Sequence, residues 1–335
     1  GLTAATANTF LAQSVLAAGP QKGGTIRAGL QGGSTTDSLD PASTTNTTAT
    51  VVSRLWGEPL VELAPDGSVE SKVAESVEGS ADAATWTFKL RDGITFSNGK
   101  TVTAEDVVAT IERHSGEDTK SGALGLLREI KDVRADGGSN VVIELNAPNA
   151  DLPYLLSDYH LLIQPNGGKD DPSAAIGTGA YILKEVDMGV RFVAEKNPNY
   201  WGDLGHAETI EVIVVNDNTA RVAALQSGQV DMISRVPPRT ANLVARAPGI
   251  NVHSTAGPGH YVFIMHCDTA PFDNADVRMA LKYGINRQEM VDKILFGYGS
   301  IGNDTPINAS YPFFTEFEQR EFDPDKAKFH LDKSG

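Results

Sequence analysis

Short alternations of apolar and polar residues recur along the chain and predict β-strands. Such alternation places successive side chains on opposite faces of a strand, so that one face packs on a core. Trp86, Phe88 and Leu90 share one such face and predict a core rather than a ligand contact. The predicted strands are 24–30, 84–90, 140–145, 180–186, 190–195, 210–215 and 260–267.

Helical patterns lie between these strands. Thr103 is a suitable N-cap, with acidic residues in the turn that follows, and it predicts a helix start. Asn98-Gly99 is a hairpin-type turn. Because strands and helices alternate without a fixed period, the fold class is mixed α/β rather than a repeat. The other predicted helices are 51–63, 219–227, 277–283 and 287–296.

The first residues have a different composition. Residues 1–18 contain no charged side chain and many small ones, ending in a small-residue segment at 15–18. This resembles the later part of a secretory signal, and a flexible Ala/Thr-rich tail is the alternative. No later apolar run approaches the ~20 residues that span a bilayer. The sequence therefore predicts an exported protein.

Length, charge and cysteine content limit the classes of protein to which the chain can belong. The 335 residues favour two domains over one core. With a net charge of −15 and no basic cluster, the chain lacks the positive surface that nucleic-acid binding requires. Its single cysteine, Cys267, excludes an internal disulfide framework and a multi-cysteine zinc site.

No catalytic motif is present. The chain lacks the metalloprotease, nucleophile-elbow and phosphate-loop patterns. GYGSIG at 297–302 has the dinucleotide-binding spacing, but it follows a predicted helix rather than a strand, which favours a chance match in a loop. His260 and His266 share a predicted strand face without a third ligand nearby, a weak pattern for a metal. We predict no enzyme activity, metal or cofactor.

Ordered sequence blocks resemble the large bacterial extracellular solute-binding proteins for peptides, nickel and related solutes. Two departures, Ala180 for the usual Pro and Asn286 for the usual Asp, do not threaten the fold. The resemblance covers about residues 22–335. The blocks read KGGTIR at 22–27, SLDP at 38–41, TWTFKLRDG at 85–93, TAEDVV at 103–108, GTGAY at 177–181, NPNYW at 197–201, AALQSGQVD at 223–231, APFDN at 270–274 and FDPDKAK at 322–328.

The resemblance implies an α/β fold of the periplasmic-binding-protein type, a two-lobed clamp with a discontinuous first lobe. Family members continue well beyond this point, so the resemblance implies that the second lobe is incomplete here. The implied divisions are a signal remnant and linker at 1–21, lobe 1 at 22–55 and 166–265, an inserted subdomain at 56–165, and the start of lobe 2 at 266–335.

The same resemblance implies a function in transport. The protein would be the monomeric periplasmic solute-binding component of an ABC importer, passing a small solute to a permease in the inner membrane. A short peptide is the leading solute. The alternatives are a carrier of nickel or another metal chelate, an opine or an oligosaccharide, and a sensor or chaperone that uses the same clamp.

The resemblance also implies which residues meet the solute. The first group is the loop of Ser34, Thr35, Thr36 and Asp37, with an N-cap or turn role as the alternative, above all for Asp37. The second group is Tyr261, His266 and Cys267; a buried core position is the alternative for His266. Since strand alternation puts His266 and Cys267 on opposite faces, only one of the two would point into the pocket unless a bulge intervenes.

Gly177, Thr178 and Gly179 would form a tight backbone path beside the hinge. The reason would be that glycine tolerates positive φ. A plain loop without ligand contact is the alternative.

Overall fold

The computed structural model describes residues 19–255, 257, 259–311 and 314–335. The predicted signal remnant at 1–18 lies outside these residues. The chain divides into two compact units, Gly1–Arg235 and Val236–Gly335. The domain limits that the family resemblance implies, at 55/56, 165/166 and 265/266, stay a prediction.

The strands of the first unit form three sheets. They contain five, two and four strands among the described residues. The strands are β1 (Thr25–Leu30), β2 (Val61–Leu63), β3 (Val69–Ser71), β4 (Ala74–Gly79), β5 (Thr85–Leu90), β6 (Ile130–Asp136), β7 (Asn140–Leu145), β8 (Tyr181–Asp187), β9 (Arg191–Lys196), β10 (Thr209–Val214) and β11 (Met232–Ile233).

The helices are distributed over both units. Short 3₁₀ helices lie at Pro41–Ser43 and Pro165–Gly168. The α-helices are α1 (Thr47–Trp56), α2 (Ala104–Ser115), α3 (Leu124–Leu127), α4 (Leu152–Leu155), α5 (Asn218–Gln226), α6 (Pro238–Val244), α7 (Ala275–Gly284), α8 (Arg287–Lys293) and α9 (Pro324–Lys333).

The five-stranded sheet joins distant parts of the sequence. Its order is β11-β1-β10-β9-β8, with β1 parallel to β10 and to β11. The predicted pairing of segment 24–30 in one sheet with segments 180–195 and 210–215 is thereby confirmed. Leu30 of β1, Val212 of β10 and Val52 of α1 are buried in one apolar cluster that fixes α1 against the sheet.

A second core lies around the four-stranded sheet, whose order is β4-β5-β7-β6. Phe88 and Leu90 are fully buried there and Trp86 packs against them, so the predicted core face of β5 is confirmed. Thr103 and Asp106 form a capping box at the start of α2, as the predicted helix start requires. The β2–β3 hairpin forms the third sheet.

The predicted helix 51–63 is wrong in its limits. The helix begins earlier, because the Asn46 side chain accepts the Ala49 amide as an N-cap. It ends at Trp56, before Gly57 and Pro59, and residues 61–63 form β2 instead. Proline lacks an amide hydrogen and disfavours helical backbone in the residue before it, which explains the early end.

The predicted strand 260–267 is also wrong. Residues 259–266 form neither helix nor strand, and Tyr261 is 91% exposed. Among the described residues no strand pairs with this segment. Alternation places side chains on the two faces of a sheet only when a neighbouring strand takes up the backbone hydrogen bonds, and the described residues supply no such strand.

The second unit is helical and has few buried apolar residues. In its described part, the core residues are Ala241, Val244 and Ala280. Asp276 at the start of α7 accepts a hydrogen bond from His330 Nδ1 of α9 at 2.7 Å, which joins the two helices. In the described ranges of both units, no helix is long and apolar enough to span a membrane.

Candidate functional site

The parallel strands of the five-stranded sheet end together at one edge. Because β1, β10 and β11 run in the same direction, the loops that follow them, at 31–37, 215–217 and 234–235, lie side by side. In open α/β sheets, ligands bind at this carboxyl edge. We refer to these three loops and the start of α1 as the carboxyl edge.

The predicted loop of Ser34, Thr35, Thr36 and Asp37 forms part of this edge. The Asp37 carboxylate accepts hydrogen bonds from the Ser34 amide and from Asn46 Nδ2, both at 2.8 Å. The alternative turn role of Asp37 is therefore confirmed. The Ser34 and Thr36 hydroxyls are 2.9 Å apart, and Thr35 and Thr36 are exposed. The loop thus presents hydroxyls, while its carboxylate maintains its shape.

A shallow hollow lies beside the loop and the start of α1. Its volume is about 120 Å³, enough for a few water molecules or one small polar group. Asn46, one of the lining residues, has both polar atoms of its side-chain amide engaged: Nδ2 in the bond to Asp37 and Oδ1 in the α1 cap. The lining is polar and consists of Thr36, Asp37, Ser38, Ser43, Thr45, Asn46 and Ala49.

Arg221 of α5 holds the carboxyl edge together from inside. Its side chain is completely buried and donates to backbone carbonyls: Val215 O at 2.7 Å, Ser234 O at 3.0 Å and Arg235 O at 3.1 Å. One guanidinium therefore ties the loop after β10 to the loop after β11. Burial lowers the pKa of Arg221, yet a guanidinium remains charged in proteins.

Asn216, two residues after the end of β10, connects to the loop that follows β1. Its side-chain oxygen accepts the Gly32 amide at 2.8 Å, and its Nδ2 donates to Gly33 O at 3.0 Å. A Cβ atom at Gly33 would lie 2.7 Å from Val214, so only glycine fits this approach. Arg221 and Asn216 were not predicted from the sequence, where their only signals are an arginine inside an Ala-rich helix and an Asn soon after a strand.

The loop before α1 is also attached to the region around the four-stranded sheet. Arg113 of α2 pairs with Asp40 at 2.6 Å, and the Gly122 amide donates to Ala42 O at 3.0 Å. His160 Nε2 donates to Thr44 O at 2.9 Å. The SLDP block thus has a physical role, because its Asp40 links two parts of the first unit.

Thr178 of the predicted hinge lies in a buried polar cluster around Glu58. The Glu58 carboxylate accepts hydrogen bonds from Thr178 Oγ1 at 3.0 Å, Tyr200 OH at 2.9 Å and Trp201 Nε1 at 2.8 Å. Burial raises the pKa of Glu58, although these three donors act in the opposite direction. Glu58 was also missed from sequence, where an isolated Glu before a Pro gives no signal.

The physical reason given for Gly177 and Gly179 is wrong, because neither residue has positive φ. Both glycines pass directly against the end of α1. A Cβ atom at Gly177 would lie 2.5 Å from Trp56 O, and one at Gly179 would lie 2.5 Å from the Trp56 carbonyl carbon. Close backbone approach therefore requires glycine here. The hinge role of residues 177–179 stays a prediction.

Tyr261, His266 and Cys267 lie in the second unit and are exposed. The alternative of a buried core histidine at 266 is therefore wrong. The thiol of Cys267 is 3.5 Å from Met265 O. Within the described ranges, no three His, Cys, Asp or Glu side chains come together to hold a metal ion. GYGSIG at 297–302 lies after α8 and outside any helix or strand, as predicted for a chance match.

Comparison with known proteins identifies the family of this chain. Residues 68–335 match the family described as Bacterial extracellular solute-binding proteins, family 5 Middle. The chain belongs to this family. Its GTGAY and NPNYW blocks, which surround Glu58, lie inside the matched region.

Two curated relatives and one solved structure are similar to this family 5 chain over most of its length. It is 30% identical over 292 residues to the nickel-binding periplasmic protein of Escherichia coli (strain K12), covering 83% of this chain and 55% of that protein. It is 28% identical over 309 residues to the glutathione-binding protein GsiB of Salmonella typhi, covering 90% and 60%. The chain therefore spans less than two thirds of the length of either relative.

The solved structure is the periplasmic binding protein AgaA from A. tumefaciens R10 in complex with agropinic acid. It is 26% identical, with a TM-score of 0.79, and the match covers 93% of this chain and 64% of AgaA. The α/β fold of the periplasmic binding proteins is thereby shown for this family 5 chain.

Proposed function

We propose that this family 5 chain is the solute-binding component of an ABC importer, and that it works in the periplasm as a monomer. It captures a small solute and passes it to a permease complex in the inner membrane, without catalysing a reaction. The observation that carries the proposal is the carboxyl edge of β1, β10 and β11. Arg221 fixes the backbone of the loops after β10 and β11, and Asn216 attaches to them the loop after β1, which presents exposed hydroxyls. Fixed polar groups at this edge suit reversible capture.

A short peptide is the solute we propose. Glutathione is itself a small peptide, and the relative named for binding it aligns with 90% of this chain. Hydroxyl groups such as those of Ser34, Thr35 and Thr36 both donate and accept, so they pair with peptide groups irrespective of side chains. A nickel chelate and an opine are the competing solutes, since one relative is named for nickel and AgaA was solved with agropinic acid.

Native mass spectrometry of the purified chain tests the solute class. We expect co-purified masses that correspond to peptides of a few residues, and calorimetric binding of trialanine. Recovery of sugars alone would overturn the peptide assignment. If the chain binds nickel–histidine but not trialanine, the solute belongs to the metal-chelate class.

The proposed contact residues in the second unit are Tyr261, His266 and Cys267. We expect His266→Ala to weaken trialanine binding by about ten-fold or more. Removing an imidazole that pairs with a buried ligand leaves a polar group of that ligand without its hydrogen bond. Because His266 is exposed, its loss should leave the melting temperature unchanged. His253→Ala, also at an exposed histidine, is the control for calorimetry. Unchanged affinity in His266→Ala would remove His266 from the site.

A further inference from the structure

Arg235 has an unusual backbone conformation at the carboxyl edge. It lies two residues after the end of β11, and its φ is 53°, a left-handed value that is costly for a residue with a Cβ atom. The surroundings enforce this conformation. The Ser234 amide donates to Gly29 O, while the carbonyls of Ser234 and Arg235 both accept from the buried Arg221. The direction in which the Arg235 side chain leaves the backbone is therefore fixed.

The Arg235 side chain extends to the first turn of α1. Its Nη2 donates to Thr47 Oγ1 at 3.2 Å, and that turn contains no acidic residue. A guanidinium has five donors, so most of them remain for another acceptor. Arg27 shows the contrast: it holds Asp231 with two nitrogens, at 2.9 and 3.1 Å. Among the described residues, Arg235 has no such carboxylate partner.

A second positive charge lies nearby. Burial lowers the pKa of Arg221, and the charge of Arg235 lowers that pKa further, while Asp217 raises it. Two guanidinium groups thus influence each other at this edge, in a chain of net charge −15. Like charges at close range repel, and an anion between or beside them removes that cost.

We propose that Arg235, together with Thr47, binds a carboxylate group of the solute. This inference rests on the proposed solute-binding function and narrows it to solutes that carry a carboxylate, of which the free C-terminus of a short peptide is one. Guanidinium pairs with carboxylate through two parallel hydrogen bonds, so a fixed arginine recognises the group by shape as well as charge. The Thr47 hydroxyl keeps the guanidinium plane in position for that contact.

The first test does not depend on the solute. Acetate is titrated into the ¹⁵N-labelled chain while the arginine Nε–Hε signals are followed, with Arg235→Gln and Arg27→Gln identifying two of them. We expect a saturable shift of the Arg235 signal and little change for Arg27, whose partner Asp231 is already bound. Equal, non-saturating shifts of both signals would overturn the proposal, whatever binds elsewhere.

The second test connects Arg235 to the solute. Trialanine and its C-terminal amide are compared by calorimetry in the unchanged chain, in Arg235→Gln and in the matched control Arg27→Gln. We expect the acid to bind about ten-fold or more tightly than the amide, and this preference to disappear only in Arg235→Gln. An unchanged preference in Arg235→Gln contradicts the proposal. If neither peptide binds, the peptide function fails, and the acetate titration alone decides the role of Arg235.

Discussion

His114, in the last turn of α2, is a buried polar side chain. It is 1% exposed, and its Nδ1 lies 2.6 Å from the hydroxyl of Ser121. Burial lowers the pKa of His114 to about 4, mainly because the charged ring would lose its hydration. In the unfolded chain the same residue titrates at its ordinary value of 6.5. The folded and unfolded states therefore bind protons differently between these two values.

We expect His114 to reduce stability on the acid side. Below pH 6.5 the unfolded chain takes up a proton that the folded chain refuses, so the free energy of unfolding falls down to about pH 4. The full effect is about 3 kcal/mol. Between pH 7 and pH 5, the melting temperature of His114→Asn should fall less than that of the unchanged chain. His253→Asn, at an exposed histidine, should match the unchanged chain; the same acid limb in all three chains would contradict this account.

Arg221 and Glu58 show which roles of single residues a sequence does not reveal. Each is an ordinary charged residue in its local pattern, and each becomes important only because distant loops place acceptors or donors around it. Asp37 lies at the other extreme. Its turn role follows from neighbours nine or fewer positions away, so it was included among the alternatives from the start.

At the scale of elements, the end of α1 depends on the loop 177–179. The Gly179 amide donates to Trp56 O at 2.9 Å, and Asn197 Nδ2 donates to Gly179 O at the same distance. These bonds bring two backbones into direct contact, where no side chain fits. Trp56, fully buried beside them, then packs on Leu162.

We expect Gly179→Ala to be strongly destabilising. The added methyl group would meet backbone atoms of Leu55, Trp56 and Gly57 at 2.5 to 2.8 Å, so α1 or the loop must move, at a cost of about 2 kcal/mol or more. Gly125→Ala is the matched control: it lies in α3 with nothing within 4 Å and should be neutral or slightly stabilising. Chemical denaturation measures both. Equal unfolding free energies for the two variants would show that the contact is relieved without cost.

The elements that sequence predicted correctly share one property. β1, β8, β9 and β10 pair with one another in one sheet, so alternation and burial agree. Segment 260–267 has the same alternation without a partner strand in the described residues, and its pattern is therefore not realised. The wrong helix limits at 51–63 have a local cause. The apolar pattern of a helix continues beyond residue 56, but Gly57 and Pro59 end the helix there.

At the scale of the whole molecule, limited proteolysis should distinguish the two units. Residues 259–266 are without helix or strand, with Tyr261 and Phe263 exposed, so chymotrypsin should cut there first. The fragment that persists should contain the three sheets of the first unit. Tyr154, 42% exposed but within α4, is the internal comparison. Initial cleavage after Tyr154 would contradict the expectation, and mass spectrometry of early time points identifies the site.

The candidate site was predictable only in part. Residues 34–37 were predicted to form a loop because Gly, Ser and Thr follow a strand there. Their contact with solute, which the family resemblance implies, stays a prediction. Arg235 was not found, since its φ, its contact with Thr47 and its lack of a carboxylate partner all depend on a fold that brings positions 47, 221 and 235 together. Long-range contacts of this kind leave no periodic trace in one sequence.

The buried guanidinium of Arg221 also has a consequence for how such a protein evolves. Four of its six hydrogen bonds go to main-chain oxygens, which every residue type supplies. The side-chain oxygens of Gln31 and Asn218 accept the other two, and none goes to a side chain at 34–36. Those positions can therefore be exchanged while the frame that carries them keeps its geometry. We expect loop-swap variants at 34–36 to melt near the parent temperature while changing their preferred cargo, so that new specificities arise without a loss of folding.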